Sequence, residues 1–477
     1  MFGPRRSLIG VLEKNSASTP PSMKRLQSRF ERNPMTGAAD ARIESLERTS
    51  PERARTRRKA LIAGATGNIV EWFDFTIYGF SAAVLATVFF PAEFGSGALL
   101  ATFALYGVAF LARPAGGVVF GRLGDRFGRR GSLSLAITLM GCSTAAIGLL
   151  PTYASIGAAA PLLLLVCRLV QGFSAGGEYT GAATFVVEHA PYHRRGLYAG
   201  IIAGSSFVGS ILATITVLTF NSVGTEYFLD GGWRWPFIIG GVVAIAGLFM
   251  RLAVDETPAF TEMKEKEALL TRPLADLLRN HWRSLVTAFV YFASLGVATH
   301  MLIGYMPTFL THAAGVSSTA ALMLTSGALV LAVPLYIAFG ATVDRIGRRP
   351  LVRIGMVASV LVAVPSYVLI GTGNIVAIAG ALIVLVIVQS LLASALLAVL
   401  EMMPTNARFT GTALPYNLAY ALFAGTAPLV CETLVNTTGS NLSPAFYATA
   451  VASIALPVLW RGIPESRIAG TDRPLHS

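Results

Sequence analysis

Charge is what this chain has least of. Only 13% of its 477 residues are Asp, Glu, Lys or Arg, against 54% hydrophobic residues, where soluble domains carry roughly 25% charge. So few charges cannot cover a water-facing surface, and with a mean hydropathy of +0.62 the composition is that of a polytopic membrane protein. Cysteine is almost as scarce. Cys142, Cys167 and Cys431 all fall inside apolar runs without pairing or metal-ligand spacing, which excludes a disulfide scaffold or a zinc site and leaves them as small packing residues. No phosphate loop of the form G-x-x-x-x-G-K-[ST] occurs, which argues against an ATP-driven pump. Nor are polar residues gathered on one rigid loop as an enzyme requires, so the chain is read as no enzyme and as holding no metal or other cofactor.

What is present is apolar length. A spanning helix needs about 20 mostly apolar residues, because the hydrocarbon core is about 30 Å thick and backbone polar groups must be bonded within the segment. Twelve runs qualify, near 61–88, 98–120, 131–150, 160–187, 197–220 and 235–253, then 284–307, 319–341, 351–372, 375–400, 410–435 and 443–460. The expected fold is an all-α membrane protein with twelve transmembrane helices in two pseudo-symmetric six-helix bundles. Its parts are a basic disordered tail over 1–60, bundles over 61–253 and 284–460, a linker over 254–283 and a short tail over 461–477. Alternate turns hold Arg122, Arg126, Arg129 and Arg130, then Arg194 and Arg195, then Arg345, Arg348, Arg349 and Arg353, then Arg408. The intervening turns hold almost no Lys or Arg, so the positive-inside rule places both termini in the cytoplasm.

The net charge of +12 would suit nucleic acid if it were spread over one surface. It is not. Residues 1–60 contain fourteen Lys and Arg against six acidic residues, so the excess sits in a Ser-, Pro- and Arg-rich tail suited to the anionic inner leaflet. No cleavable signal pattern follows these charges, and Met23 and Met35 are alternative starts.

One motif occurs twice. GRLGDRFGRR at 121–130 returns as GATVDRIGRR at 340–349, each copy after a long apolar run, the mark of internal duplication common in secondary transporters. Paired G-x-x-x-D-R-x-G-R-R loops at equivalent points of two six-span halves resemble the signature loop of the major facilitator superfamily. GNIVEWFDFTIYGF (67–80), RLVQGFSAGGEYTGAATFVVEHAP (168–191), GWRWPF (232–237) and DETPAF (255–260) narrow the resemblance to its metabolite:H⁺ symporter family. Within it, GGEYTGA, DETPAF and YMPTFL (305–310) come nearest to bacterial proline/betaine proton symporters. The resemblance implies proton-driven import by alternating access in the bacterial inner membrane, by a monomer. It also implies that the loops latch the two bundles through Gly121, Asp125, Arg126, Gly128, Arg129 and Arg130, and through Gly340, Asp344, Arg345, Gly347, Arg348 and Arg349. Those symporters typically carry a long C-terminal coiled-coil extension, whereas this chain stops soon after its last span, which separates an osmosensing role from the substrate class. Physically, an Asp after a helix end can cap the helix that follows, and its arginines can pair with acids of neighbouring spans.

Ionisable side chains within spans mark a transport path, because they are costly unless they face a wet cavity or a partner. In the first span Asn68, Glu71, Phe75 and Tyr78 fall within an arc of about 80°, a polar and aromatic stripe suited to an ammonium group, with Asp74 near its edge. In the resembling carriers this face lines the substrate path. In the fourth span Arg168, Gln171 and Glu178 fall within a similar arc of about 80°, among glycines that permit close helix packing. Glu71 and Glu178 are the candidates for protonation, and Arg168 for a substrate carboxylate or for restraining one of those acids; a structural Arg–Glu pair is the plain alternative. His300 is a candidate proton carrier or a hydrogen-bonded structural histidine. Arg113, just before Pro114, and Glu188 with His189 are assigned to contacts around the basic loops. The expected solute is a proline- or glycine betaine-type zwitterion; the alternatives are a di- or tricarboxylate or related organic acid such as citrate, 2-oxoglutarate or shikimate, and a transporter-like receptor that does not transport. No nucleic acid partner is expected.

Overall fold

The computed structural model describes residues 51–127, 129–252, 273–404 and 408–464. Gly128, most of the 254–283 connection and both terminal tails beyond these limits lie outside the described residues, as do the side chains of Gly121, Asp125, Arg126, Arg129 and Arg130. From Lys59 onward the chain forms one unit.

Among the described residues eleven helices are each long and apolar enough to cross a membrane, and a bent pair completes the twelve. They are α1 (Arg57–Phe80 with Ala82–Phe89), α2 (Ser96–Phe120), α3 (Gly131–Leu149), α4 (Ala159–His189), α5 (Tyr192–Asn221) and α6 (Phe228–Leu252). Then follow α7 (Trp282–His312), α8 (Ser318–Ile346), α9 (Arg348–Ile370), α10 (Ile375–Glu401), α11 (Thr410–Thr438) and α12 (Ser443–Gly462). All twelve apolar runs become spans. Residues Pro51 to Ala60, expected to be part of the tail, are helical and lead into α1, since Ala, Arg and Lys are good helix formers.

The turns have identifiable causes. Asn374 caps α10 by accepting from the amides of Val376 and Ala377, and Ser317 caps α8 by accepting from Ala320. Between α8 and α9 the chain reverses at Gly347 with φ of 90°, a conformation that side-chain-bearing residues rarely adopt. That requirement explains the glycine in the second basic loop.

Several spans are interrupted. α1 bends by 63° between Phe80 and Ala82, α4 is broken at Gly176–Gly177, α7 has a π turn at Met301–Tyr305 and α10 is broken at Ser394–Ala395. These are the first, fourth, seventh and tenth spans, so the break repeats every three helices. α11 adds a π turn at Tyr420–Ala424. Broken spans free backbone groups and re-aim side chains at mid-membrane, and are tolerated there only where protein or a cavity surrounds them.

Glycines bring helices into backbone contact. A methyl group at Gly172 would lie 1.6 Å from the carbonyl oxygen of Ala109, and one at Gly116 would lie 1.7 Å from that of Phe173, so α2 and α4 touch main chain to main chain. Gly172→Val is therefore expected to abolish recovery of folded, monodisperse protein from membranes. Gly327→Ala in α8, where an added methyl meets open space, should leave the melting temperature within about 3 °C.

Candidate functional site

α1 supplies two buried carboxylates three residues apart, and its neighbours surround them with arginine and aromatic side chains. Glu71 accepts from Arg113 Nη2 of α2 at 2.7 Å, with side chains only 1% and 2% exposed. Arg113 Nη1 also donates to the Tyr416 hydroxyl of α11 at 3.3 Å. Its guanidinium lies 4.5 Å from the ring centres of both Phe75 and Phe110. On the next face of α1, Asp74 accepts from Thr144 of α3 and, at 2.7 Å, from the Gln171 amide of α4. Gln171 in turn accepts from Arg168 at 2.9 Å. Arg168 is fully buried and sits 4.1 Å from the centre of the Tyr78 ring. Opposite charges thus balance within the cluster, as buried ions must. Polar capacity remains unused: Glu71 Oε2, Asp74 Oδ2, Arg113 Nε, the Trp72 indole nitrogen and the Tyr106 hydroxyl have no hydrogen-bond partner.

Of the expected stripe, Phe75 and Tyr78 lie against the two arginines and only Asn68 turns away. Asn68 turns to α5, donating to the Ile202 carbonyl and the Ser205 and Ser206 hydroxyls at 2.8 to 2.9 Å. Tyr78 donates to the Thr102 carbonyl at 3.1 Å. Glu178 does not join Arg168. The break at Gly176–Gly177 resets the helical phase after Ala175, so a straight-helix count fails beyond it, and Glu178 pairs instead with Arg251 of α6 at 2.8 Å. Arg251 also donates to the Ala63 carbonyl. A methyl at Gly67 would meet Glu178 Oε1 at 2.1 Å, so that glycine lets α1 pass over the pair. His300 bonds the Gly296 carbonyl through Nδ1 at 3.0 Å, and its ring faces Trp72, Phe110 and Tyr420 at 5.6, 4.9 and 5.3 Å.

Arg113 corrects an assignment made on sequence alone. Its nearness to Arg122 suggests the basic-loop region, but the structure puts it at the centre of the charged cluster. A signal for this exists in the sequence: Phe103, Tyr106, Phe110 and Arg113 repeat on α2 the three-four-three spacing of the α1 stripe.

At the end carrying the basic loops, contacts join the two halves. Asp344 accepts from the backbone amides of Gly196 and Leu197 at 2.7 and 2.9 Å, so it caps α5 of the other half and not α9, the helix that follows it. Within the second half, Arg348 pairs with Glu401 at 2.9 Å and Arg349 donates to the Ile463 carbonyl, while Arg345 is exposed. Glu188 pairs with Arg408 at 3.3 Å, and a methyl at Gly340 would lie 2.5 Å from the Gly196 carbonyl oxygen. Asp344→Asn keeps one acceptor and loses the charge facing the helix N-terminus, worth about 1 kcal/mol. It should lower the melting temperature by no more than a few degrees and slow solute exchange several-fold in vesicles; unchanged exchange would remove this contact from the working cycle. The halves also touch away from that end, with a methyl at Gly79 meeting the Gly304 Cα at 3.2 Å and, at mid-span, one at Gly107 meeting the Gly425 oxygen at 3.1 Å.

Known proteins share both sequence and fold. Residues 65–428 match the model of the Major Facilitator Superfamily. A proline/betaine transporter of Salmonella typhimurium is 38% identical over 410 residues, covering 84% of this chain and 82% of that protein. An ectoine/proline transporter of Corynebacterium glutamicum is 36% identical over 418 residues, 84% of this chain and 83% of the relative. Among solved structures, a partially occluded inward-open form of the xylose transporter of E. coli superposes with a TM-score of 0.68 at 19% identity, over 86% of this chain and 99% of that one. Extended sequence identity, the twelve-span all-helical architecture and the family match agree: this chain belongs to the major facilitator superfamily.

Proposed function

We propose that this membrane transporter imports a small zwitterion of the proline or glycine betaine class together with protons, and that the Glu71–Arg113 pair couples the two. The observation that carries the reading is the pair itself, a buried carboxylate and guanidinium at 2.7 Å with one Glu71 oxygen unused and aromatic rings on Arg113. A proton on Glu71 removes the charge that holds Arg113. The freed guanidinium then accepts the solute carboxylate as a planar fork, while an ammonium without N–H groups is held best by the aromatic faces of Phe110, Tyr416, Tyr420 and His300. Deprotonation lets Glu71 recapture Arg113 and expels the solute. Proton and solute are each needed to stabilise the loaded state, which makes the coupling a matter of differential affinity.

The names of the relatives support this solute class. The carboxylate alternative is weaker, because each central arginine is already balanced, Arg113 by Glu71 and Arg168 through Gln171 by Asp74; a dianion would have to free both. In this reading Glu178 and Arg251 steady α1, and His300 adds an aromatic wall, not a proton relay. Bundles α1–α6 and α7–α12 rock about the pair, with the Asp344 and Glu188 contacts breaking as the cytoplasmic side opens. Both termini are cytoplasmic, the protein lies in the bacterial inner membrane, and a monomer suffices. Uptake of labelled proline, glycine betaine, citrate and 2-oxoglutarate into proteoliposomes under an imposed pH gradient tests it. Accumulation of a zwitterion that a protonophore abolishes is the expected result; accumulation of citrate alone would favour the organic-acid reading, and binding without flux a receptor.

A further inference from the structure

Glu432 of α11 lies away from the charged centre, toward the end opposite the basic loops, and none of the chemistry above uses it. Its side chain is 9% exposed, one turn beneath exposed Asn436. Tyr305, at the π turn of α7, donates its hydroxyl to Oε2 at 3.1 Å, and the Asn436 amide approaches Oε1 at 3.4 Å. Both partners are neutral, and neither supplies a charge to match the carboxyl group. Among the described residues Glu71 has Arg113, Glu178 has Arg251, and Asp74 is bonded to the amide that Arg168 holds. Glu432 is the one buried carboxylate there with no arginine or lysine beside it. A desolvated carboxylate held only by neutral donors is costly, and a mobile cation is the simplest thing that could match it.

Aromatic rings continue from that carboxylate toward the centre. The Tyr305 ring is 6.0 Å from Phe103 and 5.7 Å from Phe309. Phe103 begins the α2 stripe, whose Tyr106 and Phe110 rings are 5.4 Å apart and which ends at Arg113. Tyr106 keeps its buried hydroxyl without a partner. Such faces attract a quaternary or secondary ammonium through their negative quadrupole, which offsets part of its desolvation.

We propose that Glu432, with Tyr305 and Phe103, forms an outer subsite that takes the cationic group of the solute before it reaches Arg113. This deepens the zwitterion reading and rests on it, but its test does not require transport. The probe is tetramethylammonium, a cation with no carboxylate, titrated against the purified full-length protein in detergent with melting temperature as the readout. Wild type should be stabilised saturably. Glu432→Gln should need about tenfold more probe, while Glu432→Asp, which keeps the charge, should recover much of the response. Asn436→Lys on the exposed turn places a tethered cation beside Glu432 and should also suppress the response, so the proposal stays testable if the Gln variant does not fold. Absence of any tetramethylammonium effect on wild type, or equal affinity in wild type, Glu432→Gln and Asn436→Lys, would overturn it. So would a Gln variant with unchanged affinity but altered pH dependence of uptake, which would make Glu432 a proton site. Failure of the zwitterion reading would look different: no proline or betaine accumulation by wild type, with the tetramethylammonium response intact.

Discussion

Arg113→Gln should abolish solute accumulation and destabilise the protein, and the two effects should separate in a double variant. Arg113 and Glu71 are both almost fully buried, and removing one partner of such a pair leaves the other uncompensated, at a cost of about 3–5 kcal/mol. Arg113→Gln alone should therefore lower stability by that amount, measured by denaturation in detergent. Adding Glu71→Gln removes the orphaned charge, so the double variant should recover most of the loss. It should not recover transport, because no guanidinium remains for the solute carboxylate. Arg113→Lys should also transport poorly, since an ammonium has neither the planar fork nor the flat face that lies against Phe75 and Phe110. A double variant that accumulated solute normally would show that the pair is structural.

Glu71→Gln carries the second large effect, and it should divide transport into two parts. Glutamine has the charge of a protonated glutamate and nearly its shape, so Arg113 is permanently released toward the solute. Exchange of internal for external solute, which needs no net proton movement, should persist. Accumulation driven by a pH gradient should fall by about 100-fold or more, because nothing remains for the proton to switch. The matching Glu178→Gln variant should be milder in coupling and harsher in stability, since its partner Arg251 also donates to the Ala63 carbonyl and fixes α1.

The spans and their order were legible in the sequence because apolar length is a one-dimensional property, and no partner is needed to recognise it. The Gly spacing of the basic loop was equally legible, and Gly347 shows why with its φ of 90°. Side-chain direction was not. Rotation counts assume a straight helix: Glu71 and Phe75, on the unbroken part of α1, both meet Arg113, whereas Glu178, beyond the Gly176–Gly177 break, meets Arg251 of α6. The partner of Asp344 was also out of reach: its capping function follows from local chemistry, but the helix it caps belongs to α5, far away in the chain. Arg113 was misplaced because charge near a basic loop reads as topogenic, and only the contact with Glu71 distinguishes it. Glu432 gave no signal at all, since a single Glu near the end of an apolar run resembles an ordinary interfacial residue until its lack of a cation is seen.

In the proposed cycle one proton on Glu71 and one solute carboxylate on Arg113 replace their mutual contact, and the proton itself can be followed. In proteoliposomes loaded with a pH-sensitive dye, addition of proline or glycine betaine without an imposed gradient should acidify the lumen in wild type, with the signal growing as solute enters. Glu71→Gln should admit the solute down its gradient with no acidification. Acidification by Glu71→Gln equal to that of wild type would remove Glu71 from the coupling of proton to solute.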